Sequence, residues 1–382
     1  MKISNPAWLL AAALAVAAGP ATAADNVKIG FNVPLTGFAA ADGKSALNGA
    51  ELAVEQANAS GGIDGQMVEL VVYDDQASPT EAVAVATKMI EQDGVKVGVS
   101  GSYSASTRAA AQVFQDAEIP YVSAYAIHPD ITRAGDHTFR TTFVGEVQGR
   151  AGAKLIGDLL GKKRVVMITM NNDFGQSLAA GFKEAADQFG IEIVNEYEYG
   201  LKDRQFGAIV AQVRANDPEA IYASGYYFTA GPLVSQLRAA GVDAPIIGQE
   251  GYDGQSFIDI AGKAAEGVII TTSLDRDSES PEVQAFLEEF EAKAGYPADM
   301  VAASSHTAVK VVVDAVRRAG TDDPAAIRDA IAATNLTAST GTISFNDLGE
   351  VRKDVQVQIV KDGAWHHYAV ISNQKLLAPP ES

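Results

Sequence analysis

From residue 27 onward the chain alternates short strand-like runs with helical stretches, and that alternation limits the fold more than any other feature. Residues 27–33 alternate apolar and other residues, as a half-buried strand does. Residues 46–58 carry apolar side chains at helical spacing and stop at Gly61-Gly62, and 67–73 is a second strand. Ser78-Pro79-Thr80-Glu81 combines a capping box with proline in the first turn, which predicts a helix start. A strand at 95–99, a helix at 106–117 and a strand at 120–123 complete the series. The pattern then restarts. Helices are expected at 146–160, 176–189, 206–215 and 232–240, between strands at 164–170, 191–197, 220–224, 245–248 and 267–272. Strands separated by helices predict parallel sheets with right-handed crossovers, so the fold class is α/β. Two such series predict two doubly wound lobes.

The rest of the chain has helices opening at Ser280-Pro281-Glu282, at 304–320 and at 324–334, with β segments near 342–345, 355–360 and 365–371. That is too little strand for a third sheet. These segments are expected to return and complete the two lobes, giving several crossings and hence a hinge. The expected division is 24–143 plus 274–354 for the N-terminal lobe and 144–273 plus 355–382 for the C-terminal lobe.

Composition narrows what such a clamp can hold. The 382 residues suit two domains, and 47% hydrophobic with 20% charged is a soluble globular profile. The formal net charge of −19 argues against nucleic acid, whose phosphates need Lys and Arg, and against an anionic membrane surface. The N-terminus carries export signals: Met1-Lys2, an apolar run over 7–18, and Ala21-Thr22-Ala23 as a cleavage site. A membrane span needs ~20 apolar residues, and Gly19-Pro20 interrupts this run, so residues 1–23 read as a cleaved signal peptide. With no cysteine, disulfides, thiolate metal sites and lipid attachment at cysteine are excluded.

In open parallel sheets, ligands bind outside the carboxyl ends of the strands. The post-strand segments are therefore the candidate site. Gly101-Ser102-Tyr103-Ser104 opens a helix with hydroxyl donors and free N–H groups, which suits a carboxylate; helix capping by Ser104 or Ser106 explains it equally well. Glu250, between an apolar strand and Gly251, could pair with an ammonium, or it could be solvated or internally paired. Tyr125, Phe174 and Tyr226 could line a pocket or form core edges. Together these residues fit a zwitterion with an apolar side chain. Enzyme signatures are weak. Gly101-Ser102-Tyr103-Ser104-Ala105 lacks the second glycine of a nucleophile elbow. There is no H-E-x-x-H, no EF-hand pattern and no G-x-G-x-x-G after the first strand, so no catalytic, metal or cofactor residue is assigned.

Several stretches carry a resemblance in their order and spacing. They are Val27-Lys28-Ile29-Gly30 with Pro34-Leu35-Thr36-Gly37, Asn58-Ala59-Ser60-Gly61-Gly62-Ile63-Asp64-Gly65, Tyr73-Asp74-Asp75, Arg140-Thr141-Thr142, Asp173-Phe174-Gly175 and Gly248-Gln249-Glu250-Gly251. On these the mature chain resembles the leucine/isoleucine/valine-binding proteins, the type I periplasmic binding proteins of branched-chain amino-acid ABC transporters. The resemblance implies two lobes with three hinge crossings, a monomer in the periplasm, an inner-membrane ABC permease as partner, and an amino-acid ligand in the cleft. It implies that Ser104 holds the ligand carboxylate and that the loop of Tyr125 and Ile127 holds both ends of the amino acid. Tyr226 and Glu250 match a tyrosine and an ammonium-binding glutamate, and Phe174 an aromatic cover. Three departures stand out: Ile127 replaces a usual threonine, Tyr125 replaces a small residue, and Ala77 and Tyr103 occupy positions that form a disulfide in some members. The first two open an alternative ligand class: an amide, a urea, or a small aromatic or aliphatic carboxylate.

Overall fold

The computed structural model describes residues 26–381. The expected signal peptide, 1–23, lies outside the described residues. The first series builds a five-stranded sheet of order β2-β1-β3-β4-β5, all parallel: β1 Val27–Val33, β2 Val68–Asp74, β3 Gly98–Ser100, β4 Tyr121–Ser123 and β5 Thr138–Arg140. The connecting helices are α1 Ala40–Ala59, α2 Pro79–Glu91 and α3 Ser104–Asp116. The second series builds a seven-stranded sheet. Its parallel part comprises β6 Arg164–Met170, β7 Glu192–Tyr199, β8 Ala220–Ala223, β9 Ile246–Gln249 and β10 Ile269–Thr272. Helices α4 Gly145–Lys154, α5 Asp173–Ala186, α6 Gly207–Asn216, α7 Tyr227–Ala239 and α8 Gln255–Ala261 accompany it.

The C-terminal segments do return to both sheets. Helices α9 Pro281–Ala294 and α10 Met300–Ala319 pack on α1, and α11 Pro324–Ala332 packs on α10. Gly49 permits the α1–α10 approach, because a Cβ there would lie 2.2 Å from the Ala302 carbonyl oxygen. A small hairpin, β11 Leu336–Ala338 with β12 Gly341–Ile343, follows. Strands β13 Val355–Lys361 and β14 Ala364–Ile371 then join the second sheet, β13 antiparallel to β10 and β14 antiparallel to β13. The second sheet is therefore mixed rather than wholly parallel. β14 needs only a two-residue turn after β13, which allows antiparallel pairing alone. The chain passes between the sheets three times, at 141–144, 273–280 and 352–354.

Several helix starts differ from expectation, three of them instructively. Ser78 is the N-cap of α2 with Pro79 in the first turn, but its side chain accepts no capping hydrogen bond. α7 starts at Tyr227, five residues before Pro232, which lies inside the helix. It starts there because the Tyr226 N–H donates to Thr229 Oγ1 at 3.3 Å and the Thr229 hydroxyl donates back to the Tyr226 carbonyl at 2.9 Å. α1 begins at Ala40 rather than 46, which brings Asp42 into its first turn. The short β5 and α8 carry no clear periodicity in the sequence.

One buried ion pair ties the first sheet to the third crossing. Arg140 is fully buried, and its Nη2 lies 3.0 Å from Glu350 Oε1. The same guanidinium donates to the carbonyls of Ala126 at 3.0 Å and His128 at 2.8 Å. Removing one partner of such a pair leaves a buried charge uncompensated. Glu350→Ala is expected to destabilise the protein by about 3–5 kcal/mol in chemical denaturation; a loss under about 1 kcal/mol, typical of an exposed pair, would contradict this account.

Candidate functional site

Both sheets turn the carboxyl ends of their strands toward one cleft. On the first side, β3 runs through Gly101-Ser102 into α3, whose first residue is Ser104. Ser102 is fixed by donating to Asp75 at 3.0 Å. The Ser104 hydroxyl oxygen accepts from the Ile127 N–H at 3.2 Å, joining the loops after β3 and β4. The Tyr125 hydroxyl donates to the Gly101 carbonyl at 2.5 Å, which folds that ring back against the same loop. With Arg140 bonded to the carbonyls of Ala126 and His128, the loop after β4 is held at both ends.

On the second side, α5 opens with its N-cap Asn172 accepting from the Gly175 N–H at 2.9 Å, which sets Phe174. Tyr226 is the N-cap of α7, and Glu250 follows β9. Gly251 permits close backbone approach, because a Cβ there would lie 2.2 Å from the Gly225 carbonyl oxygen. Glu250 Oε2 accepts from the Thr142 hydroxyl at 3.4 Å, and Thr142 is 3.1 Å from Ser273 Oγ. Thr142 and Ser273 lie on the first and second crossings, so this carboxylate sits at the root of the hinge.

These elements enclose one pocket. Ser104, Tyr125, Phe174, Tyr226 and Glu250 line it together, as the sequence had placed them on matching sheet edges. Ile127 is the exception. Its side chain is fully buried in the core and does not line the pocket; its contribution is the N–H given to Ser104. Six further residues complete the wall: Asp42, Tyr103, Ala126, Gly251, Met300 and Val301. Three of these had a partial signal. Tyr103 stands within the hydroxyl-rich loop, Ala126 lies between Tyr125 and Ile127, and Gly251 follows Glu250. Asp42, Met300 and Val301 come from the first turns of α1 and α10, which only the folded chain brings to the cleft.

The lobes touch across this site. The Tyr103 ring stacks on Tyr226 at 4.2 Å with 3° between planes, and Phe174 stacks on the other side at 4.8 Å. Outside the pocket lining, Phe38 packs edge-on to Phe228 at 5.5 Å, and Arg108 pairs with Asp173 at 3.1 Å.

Burial controls the charges. It pushes the Glu250 carboxyl up to about 8, against the opposing influence of the Lys353 ammonium. It pushes Lys353 down to about 7, against the pull of Glu250. The Lys353 nitrogen is buried without a hydrogen-bond partner among the described residues and sits 5.4 Å from the Phe143 ring centre. Burial also pushes Asp42 up to about 7, although the Tyr103 hydroxyl donates to it at 2.7 Å. A carboxylate kept from water in this way favours a cationic or donor partner. The site thus offers hydroxyl and N–H donors at Ser104, a carboxylate at Glu250, stacked aromatic faces, and a second acid at Asp42. That set of groups suits a small polar molecule.

Known proteins share this construction. The Leucine-, isoleucine-, valine-, threonine-, and alanine-binding protein of Pseudomonas aeruginosa is 32% identical over 347 residues, covering 90% of this chain and 92% of that protein. The Leu/Ile/Val-binding protein of Escherichia coli K12 is 28% identical, covering 92% and 95%. The substrate binding protein LivJ of Streptococcus pneumoniae, solved in complex with isoleucine, superposes with a TM-score of 0.85 at 30% identity, covering 91% of this chain and 99% of that one. A Rhodopseudomonas palustris solute binding protein in complex with benzoate superposes with a TM-score of 0.83 at 25% identity, covering 93% and 97%. A family model described as periplasmic binding protein matches residues 26–364, nearly the whole described chain, and the chain belongs to that family.

Proposed function

We propose that this protein is the solute receptor of an ABC transporter and captures an α-amino acid in the interlobe pocket. One observation carries the reading: Ser104 and Glu250, from opposite lobes, line the same buried pocket. A ligand carboxylate would lie at the start of α3, where helix N–H groups and the Ser104 hydroxyl favour an anion. Its ammonium would lie on Glu250. Tyr226 and Phe174 would cover the side chain, and Tyr125 would shape the pocket from the first lobe. Because the contacts come from both lobes, only the closed form makes all of them, so binding would draw the lobes together about the three crossings. The lobes in this reading are 24–143 with 274–354 and 144–273 with 355–382. Residues 1–23 would be removed on export to the periplasm, where the monomer would deliver its solute to an inner-membrane permease. The protein would act by binding and release, and not as an enzyme.

A second reading keeps the pocket and changes the ligand to a carboxylate without an amine. Burial favours it, because it holds the Glu250 carboxyl toward its neutral form, which can donate to a ligand carboxylate instead of demanding an ammonium. Benzoate and α-amino acids, compared by thermal shift on the same protein, separate the two readings.

Under the amino-acid reading, Glu250→Ala weakens binding by about 2–5 kcal/mol, roughly thirtyfold or more, in titration calorimetry; unchanged affinity would remove Glu250 from the site. Affinity is also expected to rise from about pH 6 to pH 8. Below about 8 an incoming ammonium must displace the proton that burial keeps on Glu250. The dependence approaches about tenfold per pH unit at most. A flat or falling profile in the unmodified protein would contradict the assignment.

A further inference from the structure

Ser104 and Glu250 account for the carboxylate and the ammonium common to every α-amino acid. Asp42 is left over. It lines the same pocket from the first turn of α1, beside Met300 and Val301, and is only partly buried. The Tyr103 hydroxyl donates to Asp42 Oδ2 at 2.7 Å. Among the described residues, no Lys, Arg or His lies within ion-pairing distance of Asp42. The nearby acids have their own partners: Asp253 pairs with Arg276, and Asp299 accepts from Ser45 at 2.7 Å while capping α10.

An aliphatic side chain closed over Asp42 would strip water from a carboxylate and return no hydrogen bond, which is costly in a buried site. A carboxylate side chain would add repulsion. A hydroxyl, amide or cationic nitrogen would satisfy the free acceptor. Tyr103 is held in place by its stack on Tyr226, so its hydroxyl fixes the orientation of the acid.

We propose that Asp42, oriented by Tyr103, selects the ligand side chain, and that the solute is an α-amino acid whose side chain ends in a hydrogen-bond donor. This rests on the amino-acid reading above and narrows it.

Titration calorimetry on the mature chain at pH 8, above the value of about 7 to which burial pushes Asp42, tests it with near-isosteric pairs: threonine against valine, asparagine against leucine, asparagine against aspartate. The donor-bearing member of each pair is expected to bind at least about tenfold more tightly, because a site built around a hydrogen bond rejects an analogue lacking it. Asp42→Asn removes the charge at nearly constant shape and should collapse the asparagine-over-aspartate preference. Asp42→Leu should turn the threonine–valine preference toward valine; circular dichroism and thermal melting of both variants establish that they fold. Tighter binding of valine and leucine by the unmodified protein would overturn the proposal, as would an asparagine-to-aspartate ratio unmoved by Asp42→Asn. If no α-amino acid binds while benzoate does, the amino-acid reading itself fails. If aliphatic amino acids bind best, only the role of Asp42 fails.

Discussion

The buried Arg140 guanidinium is the contact on which the site's geometry depends. It ends β5, pairs with Glu350 just before the third crossing, and donates to two carbonyls of the loop after β4. That loop supplies Ala126 and Tyr125 to the pocket and gives the Ile127 N–H to Ser104. A guanidinium suits this position because its fixed fork of donors can satisfy several acceptors at once, where a lysine would act as a point charge. One side chain thereby fixes the ligand-facing loop and the strand leading into the first crossing relative to the third.

The cleft stores a different kind of constraint. Glu250 and Lys353 are ionisable groups held away from water and Asp42 is partly so, and each is displaced toward its neutral form by burial. Such groups stabilise little by themselves; they create a demand for charge or hydrogen bonds that a ligand can meet. The stacked rings of Phe174, Tyr226 and Tyr103 add apolar contact across the lobes. The closed arrangement therefore combines an aromatic seam that favours closure with acids whose state depends on what is enclosed. Glu250 is joined through Thr142 and Ser273 to two of the crossings, so the group facing the ligand is also bonded to the hinge.

Much of this was legible in the chain. The bounds of β6 and β1 match expectation to the residue, because a β-branched and apolar run in the one and alternation in the other leave few alternatives. Ser104, Tyr125, Phe174, Tyr226 and Glu250 were found by one rule, that ligands sit beyond the carboxyl ends of parallel strands. The rule fails for residues outside strand ends. Asp42, Met300 and Val301 lie at helix starts, and α1 and α10 begin several residues earlier than their apolar periodicity indicated. Helix ends carry weak sequence signals when the cap makes no side-chain bond, as at Ala39 before α1. Ile127 lies in the same loop with its side chain in the core, so it is its backbone N–H that reaches Ser104.

The sequence by itself determined the α/β alternation, the two series of strands, the acidic and cysteine-free character, and the five pocket residues that follow strands. Those properties are written in local periodicity and in rules that act within a few residues. Only the tertiary structure decided that β13 and β14 complete the second sheet antiparallel, that Tyr103 crosses the cleft to stack on Tyr226, that Lys353 lies buried near Glu250, and that Asp42 joins the pocket. These are meetings of residues far apart in the chain. They depend on how two lobes and three crossings pack together, and no short window of sequence carries that information.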